Sequence, residues 1–266
     1  MRLCTFLDAG TPRVGRVEGD HVIPLAAPDL VTLIRGGDAG EAGPPVPLNR
    51  VSLTAPLRPV KLLGVVRNYA LHAAEMREEA PPDPQLFSKL VTAVTGPDGP
   101  VVHPDVTGQL DYEGELAVVI GRTAKGVAEA DAMDHVFGYT IVNDVTARDL
   151  QKTERQWARA KGCDTFAPMG PWVVTADEIP DPHALRIRTW VNGELRQDGS
   201  TADMLHPVPK LISWFSRTVT FEPGDVIATG TPAGVGKGFD PPRFLSPGDT
   251  VRIAIDGIGE IEHGVV

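Results

Sequence analysis

Cysteine is nearly absent: Cys4 and Cys163 are the only two in 266 residues. They suggest no disulfide framework, and there is no Cys-x-x-Cys pair to hold zinc. No apolar run approaches the roughly 18 residues of a membrane span. The opening stretch MRLCTFLDAG lacks the long apolar core of a secretory signal. A cytoplasmic protein without membrane contact is expected. Basic charge is also short. Lys and Arg number 25 against 35 Asp and Glu, a net charge of −10. Such a surface argues against nucleic acid as a partner. If the substrate is an anion, the positive charge that receives it has to be local, from a metal or a few Lys and Arg.

What is present points to strands and turns. Hydrophobic residues make up 42%, enough for a sizeable core, and 28 Gly with 25 Pro imply many turns. The length suits one large domain or a core with a small appendage. Residues 1–55 read as a small leading subdomain of short alternating strands (RLCTFL, RVGRVEG, HVIPL). A short helix follows Pro28, and the Gly/Pro-rich stretch GGDAGEAGPPVP serves as linker. Residues 56–266 form the remainder. There VKLLGVV, LDYEGELAVVIG, VFGYTIVND and GDVIATG read as strands. LRIRTWVNGELRQ carries an Asn-Gly hairpin turn, and the last nineteen residues read as a strand pair. Helices are expected over NYALHAAEMREE, with Asn68 as N-cap, over TARDLQKTERQWARAK as one element, and over PVPKLISWFSRT.

The strand LDYEGELAVVIG poses the sharpest question, because Asp111, Glu113 and Glu115 share one face and repel each other. With Asp144 ending a nearby strand, Glu113 and Glu115 can make an oxygen-ligand site for a hard cation such as Mg²⁺. Glu-x-Glu by itself also suits a solvated strand edge. Asp111 is assigned to an outer layer or to the surface. His72 and Glu75 lie three apart on a helix face, so the carboxylate can orient the imidazole as a general base on water. Taken alone, such a pair also suits an ordinary exposed helix. Lys161 can steady an enolate oxygen or a substrate carboxylate, or simply complement a helix end. The glycine-rich GTPAGVGKG at 230–238 lacks the Gly-Lys-Ser/Thr ending of a phosphate loop and reads as a substrate loop offering Thr231.

In this order, NYxxHxxE, FxK, DYExELAVVIG, GYTIVNDVTARDLQ, KGxDTFxPxGPW, VNGExRQxGxTxDM and EPGDVIATGTPAGVG closely resemble the fumarylacetoacetate hydrolase family, from about residue 60 to the end. The resemblance implies an α+β, strand-dominated fold, a mixed β-roll core, and a homodimer. It implies Mg²⁺ or Mn²⁺ held by Glu113, Glu115 and Asp144, and a His72–Glu75 dyad on a segment that closes over the substrate. It also implies substrate contacts from Arg67, Tyr69, Lys89, Arg148, Gln151, Lys161 and Thr231. RNY at Arg67–Tyr69 is most like the acylpyruvate hydrolase and oxaloacetate decarboxylase branch. The expected activity is hydrolysis of a C–C bond in an acylpyruvate-type 2,4-dioxo acid, leaving a pyruvate enolate at the metal. Isomerisation or decarboxylation of a related 2-oxo dioic acid, as in the hydroxyheptadienedioate isomerases, is the alternative. A metal-binding or ligand-sensing protein without turnover is the reading from another class. A second cation in the distal pocket would favour a dioic acid, and an apolar pocket an acyl chain. Two departures from the family pattern bear on that pocket: Val66 stands where a small residue commonly precedes RNY, and Leu90, Val91 and Thr92 follow Lys89 in place of Pro-x-Ser.

Overall fold

The computed structural model describes residues 1–266. Strands dominate, and twelve of them form one mixed sheet. Its middle runs Arg2–Asp8, Ala167–Thr175, Val136–Asn143, Gly114–Ile120, Val226–Ala228, Leu62–Val65 and Leu86–Lys89. Most neighbours are antiparallel, but Val226–Ala228 runs parallel to Leu62–Val65, and Val94–Thr95 parallel to Ala167–Pro168. The leading strands extend the same sheet, since Arg2 and Leu3 pair with Val174 and Val173. The Gly/Pro-rich stretch folds back along them, with Glu41 bridging Leu25 and Val46 pairing with Val22.

A second sheet of four strands runs Glu194–Ser200, Arg186–Val191, Thr250–Ile255 and Gly259–Gly264. Thr250–Ile255 alternates half-buried and buried residues, the mark of a sheet with one covered face. Gly114–Ile120 is buried at every position, so it lies between layers. The approach is close: a Cβ on Gly114 would sit 2.4 Å from Thr189 Oγ1. The hairpin turn expected at Asn192-Gly193 is present, with both residues at positive φ, as that turn type requires. The amphipathic helix is Val208–Ser216, which buries Val208, Leu211, Ile212 and Phe215.

Three elements differ from the sequence reading. The carboxylate strand is broken: Leu110–Asp111 pairs with Thr146–Ala147, and the regular strand starts only at Gly114. The helix carrying His72 spans only Ala70–Glu75, and Arg77 already has φ +57. Asn68 does not cap it. Its buried side chain instead donates to the carbonyls of His206 and Thr229 and accepts from the His206 N–H. The single helix expected over residues 146–161 is two, Arg148–Thr153 and Ala158–Gly162. Thr153 Oγ1 bonds back to the Asp149 and Leu150 carbonyls, a local competition that loosens a helix end, and Glu154 is extended. The break turns the second helix so that Lys161 points into the interior.

Candidate active site

The central strands converge on one cavity of about 250 Å³, small enough for a substrate of a few heavy atoms. Glu113 and Glu115 precede and enter the regular strand, while Asp144 follows the end of its neighbour. Their ligand oxygens all lie within 4.8 Å of one another, and all three residues are buried. Asn143 fixes the register here, its side-chain oxygen accepting the Glu113 N–H at 3.0 Å.

Lysines supply part of the balancing charge. Lys161 Nζ donates to Glu113 Oε2 at 2.6 Å and to Asp144 Oδ2 at 2.7 Å. Lys89, fully buried, bonds Asp144, the Val145 carbonyl and the Lys161 carbonyl. Burial pushes the Lys89 ammonium down against the pull of Asp144. Burial also opposes the Lys161 charge, but Asp144 and Glu113 outweigh it and hold that group up. Glu113 is kept well below the usual carboxylate range: Lys161, Arg148 and His72 overcome the cost of its burial. Glu115 is the exception. No cation pairs with it, and its Oε2 accepts only the Gly230 N–H, at 2.8 Å. Burial, then the like charges of Asp144 and Glu113, raise it well above the usual range. Four buried carboxylates, Asp111 and the triad, face three cations, Lys89, Lys161 and Arg148, and the one left without an ion pair is Glu115. An all-oxygen donor set with such an excess fits a hard divalent cation.

His72 lies over this cradle. Its Nδ1 is 2.8 Å from Glu75 Oε1, and its Nε2 is 3.9 Å from Glu113 Oε1. Glu75 is itself fixed, accepting the Gly234 N–H at 2.8 Å. The dyad therefore presents Nε2 to the cavity and keeps Nδ1 on its carboxylate partner.

Of the other sequence candidates, Arg67, Arg148, Gln151 and Thr231 line the cavity with Lys161 and His72. Arg148 spans two carboxylates, with Nε 2.8 Å from Asp111 and a terminal nitrogen 2.7 Å from Glu113. Gln151 accepts from Arg148 at 3.2 Å. Thr231 donates to the Gly114 carbonyl and accepts from Gln197, which also takes the Gly114 N–H. Arg67, at φ +47, is ion-paired to Glu78. Two candidates stand off the wall. Lys89 lies beneath the triad, and Tyr69 is buried beside it with a hydroxyl that has no hydrogen-bond partner.

Asp111 is no surface residue. It is fully buried, and besides holding Arg148 it accepts the backbone N–H groups of Gly236 and Lys237. Its place in a regular strand pattern hid the break that turns it away from Glu113. Sequence reasoning also passed over Lys237 and Lys152 on the cavity wall, and Phe87 and Trp157, whose ring centroids are 5.7 Å apart. Lys237 carried a signal only as the lysine of an incomplete phosphate-loop motif, where Gly238 stands in place of Ser or Thr.

Residues 61–266 match the family model described as fumarylacetoacetate (FAA) hydrolase C-terminal, and residues 1–56 the one described as Rv2993c-like, N-terminal. The chain belongs to the fumarylacetoacetate hydrolase family. Among relatives in that family, oxaloacetate tautomerase YisK of Bacillus subtilis is 51% identical over 224 residues, covering 82% of this chain and 74% of the relative. The mitochondrial oxaloacetate tautomerase fahd2 of Xenopus laevis is 41% identical over 288 residues, covering 100% and 90%. The solved structure of 2-hydroxyhepta-2,4-diene-1,7-dioate isomerase from Mycobacterium marinum has a TM-score of 0.85 at 40% identity, covering 100% of this chain and 98% of that one. The strand-dominated fold and the enzymatic character of the family agree with the sequence reading. The named relatives move the emphasis from hydrolysis to isomerisation.

Proposed function

We propose that this protein is a metal-dependent isomerase that interconverts the keto and enol forms of a small 2-oxo acid by moving a proton at the carbon beside the ketone. The observation that supports this most is His72 Nε2, held free by Glu75 and standing 3.9 Å from Glu113 on a small cavity that Glu115 also lines. Glu113, Glu115 and Asp144 would hold Mg²⁺ or Mn²⁺. Such a cation supplies Lewis acidity that makes the neighbouring C–H of a bound 2-oxo acid more acidic. The residues do the rest. His72 Nε2 removes or returns the proton, and Glu75 keeps the imidazole in the tautomer that can do so. The Lys161 ammonium steadies charge that gathers on the ketone oxygen. Arg148 orients the carboxylate end, and Thr231, whose proton goes to the Gly114 carbonyl, borders it. A homodimer is part of this proposal and rests on the family resemblance.

A second reading keeps the same residues. His72 can instead activate a water against the distal carbonyl of a 2,4-dioxo acid, which is C–C hydrolysis, and the buried dyad beside the cavity suits that as well. Oxaloacetate and acetylpyruvate separate the readings. Ultraviolet absorbance follows the enol and a coupled assay follows pyruvate, each with Mg²⁺ or with EDTA. Metal-dependent loss of enol without pyruvate is the expected result. Pyruvate from acetylpyruvate would establish hydrolysis, and pyruvate from oxaloacetate alone would establish decarboxylation.

A further inference from the structure

We propose that Lys237 receives a second carboxylate of the substrate, so that the cavity selects 2-oxo dioic acids over 2-oxo acids with an uncharged tail. This rests on the reading above that a 2-oxo acid is held at the carboxylate triad.

Five cationic side chains line the cavity, on a protein whose net charge is −10. Three of them already pair with carboxylates of the protein, and two of these, Lys161 and Arg148, are placed at the reacting end of the substrate. Lys161 is bonded to Glu113 and Asp144, Arg148 to Asp111 and Glu113, and Arg67 to Glu78. Lys152 is exposed and has no ion pair. Lys237 is half-buried, and its ammonium has no carboxylate of its own. The two acidic groups near it, Glu78 and Asp111, are already taken by Arg67 and Arg148. Burial lowers the Lys237 pKa, and repulsion from Arg148 and Lys152 lowers it further against the pull of Glu78 and Asp111. A partly desolvated ammonium among other cations, on a cavity wall, needs an anion.

The loop that carries it sets the geometry. Gly230 to Gly238 runs along one side of the site. At one end the Gly230 N–H binds Glu115 and Thr231 faces the cavity; at the other, the Gly236 and Lys237 N–H groups are held by Asp111. Between them the Gly234 N–H holds Glu75. Glu113, Glu115, His72 and Lys237 line the same cavity, so a substrate held at the triad shares it with the Lys237 side chain. The backbone N–H of Lys237 is used by the fold, and its side chain is free to meet the ligand.

The test uses non-reacting pairs. Malate and 2-hydroxybutyrate both offer a carboxylate with an adjacent hydroxyl, but only malate has a second carboxylate. Calorimetric titration of the Mg²⁺-loaded protein is expected to favour malate by about tenfold or more, the scale of a hydrogen bond to a charged group. Lys237→Gln is expected to erase that preference and to change 2-hydroxybutyrate affinity by less than about twofold. Lys237→Arg is expected to retain most of it. Equal affinities in the parent protein, or a preference that survives Lys237→Gln, would overturn the assignment. An equal loss for both ligands in Lys237→Gln would show a damaged loop and overturn it too. Failure of both ligands to bind the loaded parent protein would instead remove the 2-oxo acid reading itself, and this proposal with it.

Discussion

Glu115 carries the clearest consequence of a single side chain. It is buried, faces two other carboxylates, and has only a backbone N–H as donor. Replacing it with Gln removes the like-charge repulsion and one ligand at once. We expect Glu115→Gln to raise or preserve the melting temperature of the metal-free protein while lowering Mg²⁺ affinity at least a hundredfold. Thermal unfolding with and without Mg²⁺ checks both halves. A variant that melts lower without metal and still binds it at parental strength would remove Glu115 from the site. Asp111 gives the opposite sign. Asp111→Asn leaves buried Arg148 with one of its two carboxylate partners and weakens the anchor of Gly236 and Lys237. A loss of about 3–5 kcal/mol in denaturant unfolding is expected, the usual cost of breaking a buried pair. At this scale the sequence was partly legible. Glu113, Glu115 and Asp144 stood out because repelling charges need a reason. Asp111 shared their alternation but not their direction, and spacing alone does not report a break in a strand.

Among elements, the 230–238 loop couples the most parts. It touches the triad, the dyad and the Asp111 anchor. Gly238 packs so closely that a Cβ there would lie 2.3 Å from Glu75 Oε2, the flexible end of a side chain. Gly238→Ala is therefore expected to push Glu75 off His72 without unfolding the loop. The expected result is a fall in kcat of about 10–100-fold, in the range general-base catalysis contributes, with metal affinity unchanged. A parental kcat would show that Glu75 does not set the imidazole's working state. The strands around this loop were readable from apolar runs and turn signals. The split of the 146–161 segment was not. Helix propensity there is high throughout, and what ends the first helix is a threonine bonding its own backbone while the chain must bring Lys161 back to Asp144.

For the molecule as a whole, the two sheets meet through a polar contact in the core. His263, on the final strand, accepts from the Asn143 side chain at 2.9 Å, and Asn143 in turn holds Glu113. Burial lowers the His263 pKa to about 4. The folded form thus resists a proton that the unfolded chain takes up near pH 6.5. This contribution to stability is complete above about pH 6.5 and is lost as pH falls from there toward about 4. Unfolding free energies measured across that window should drop with acid, and His263→Asn should flatten that part of the slope. An unchanged slope would assign the acid sensitivity to other groups. A bound divalent cation should add about 2.7 kcal/mol at a hundred times its Kd, reversed by EDTA.

The division of labour at Lys237 also bears on descent. The fold holds that residue by its peptide N–H, which every amino acid but proline possesses, and leaves the side chain to the ligand. Any side chain that fits the half-buried space can be tried there without disturbing Asp111, the dyad or the triad. Preference for one tail or another can drift by single codon changes while the proton-moving groups stay as they are. A lineage built on this loop would be expected to change its diet more often than its chemistry.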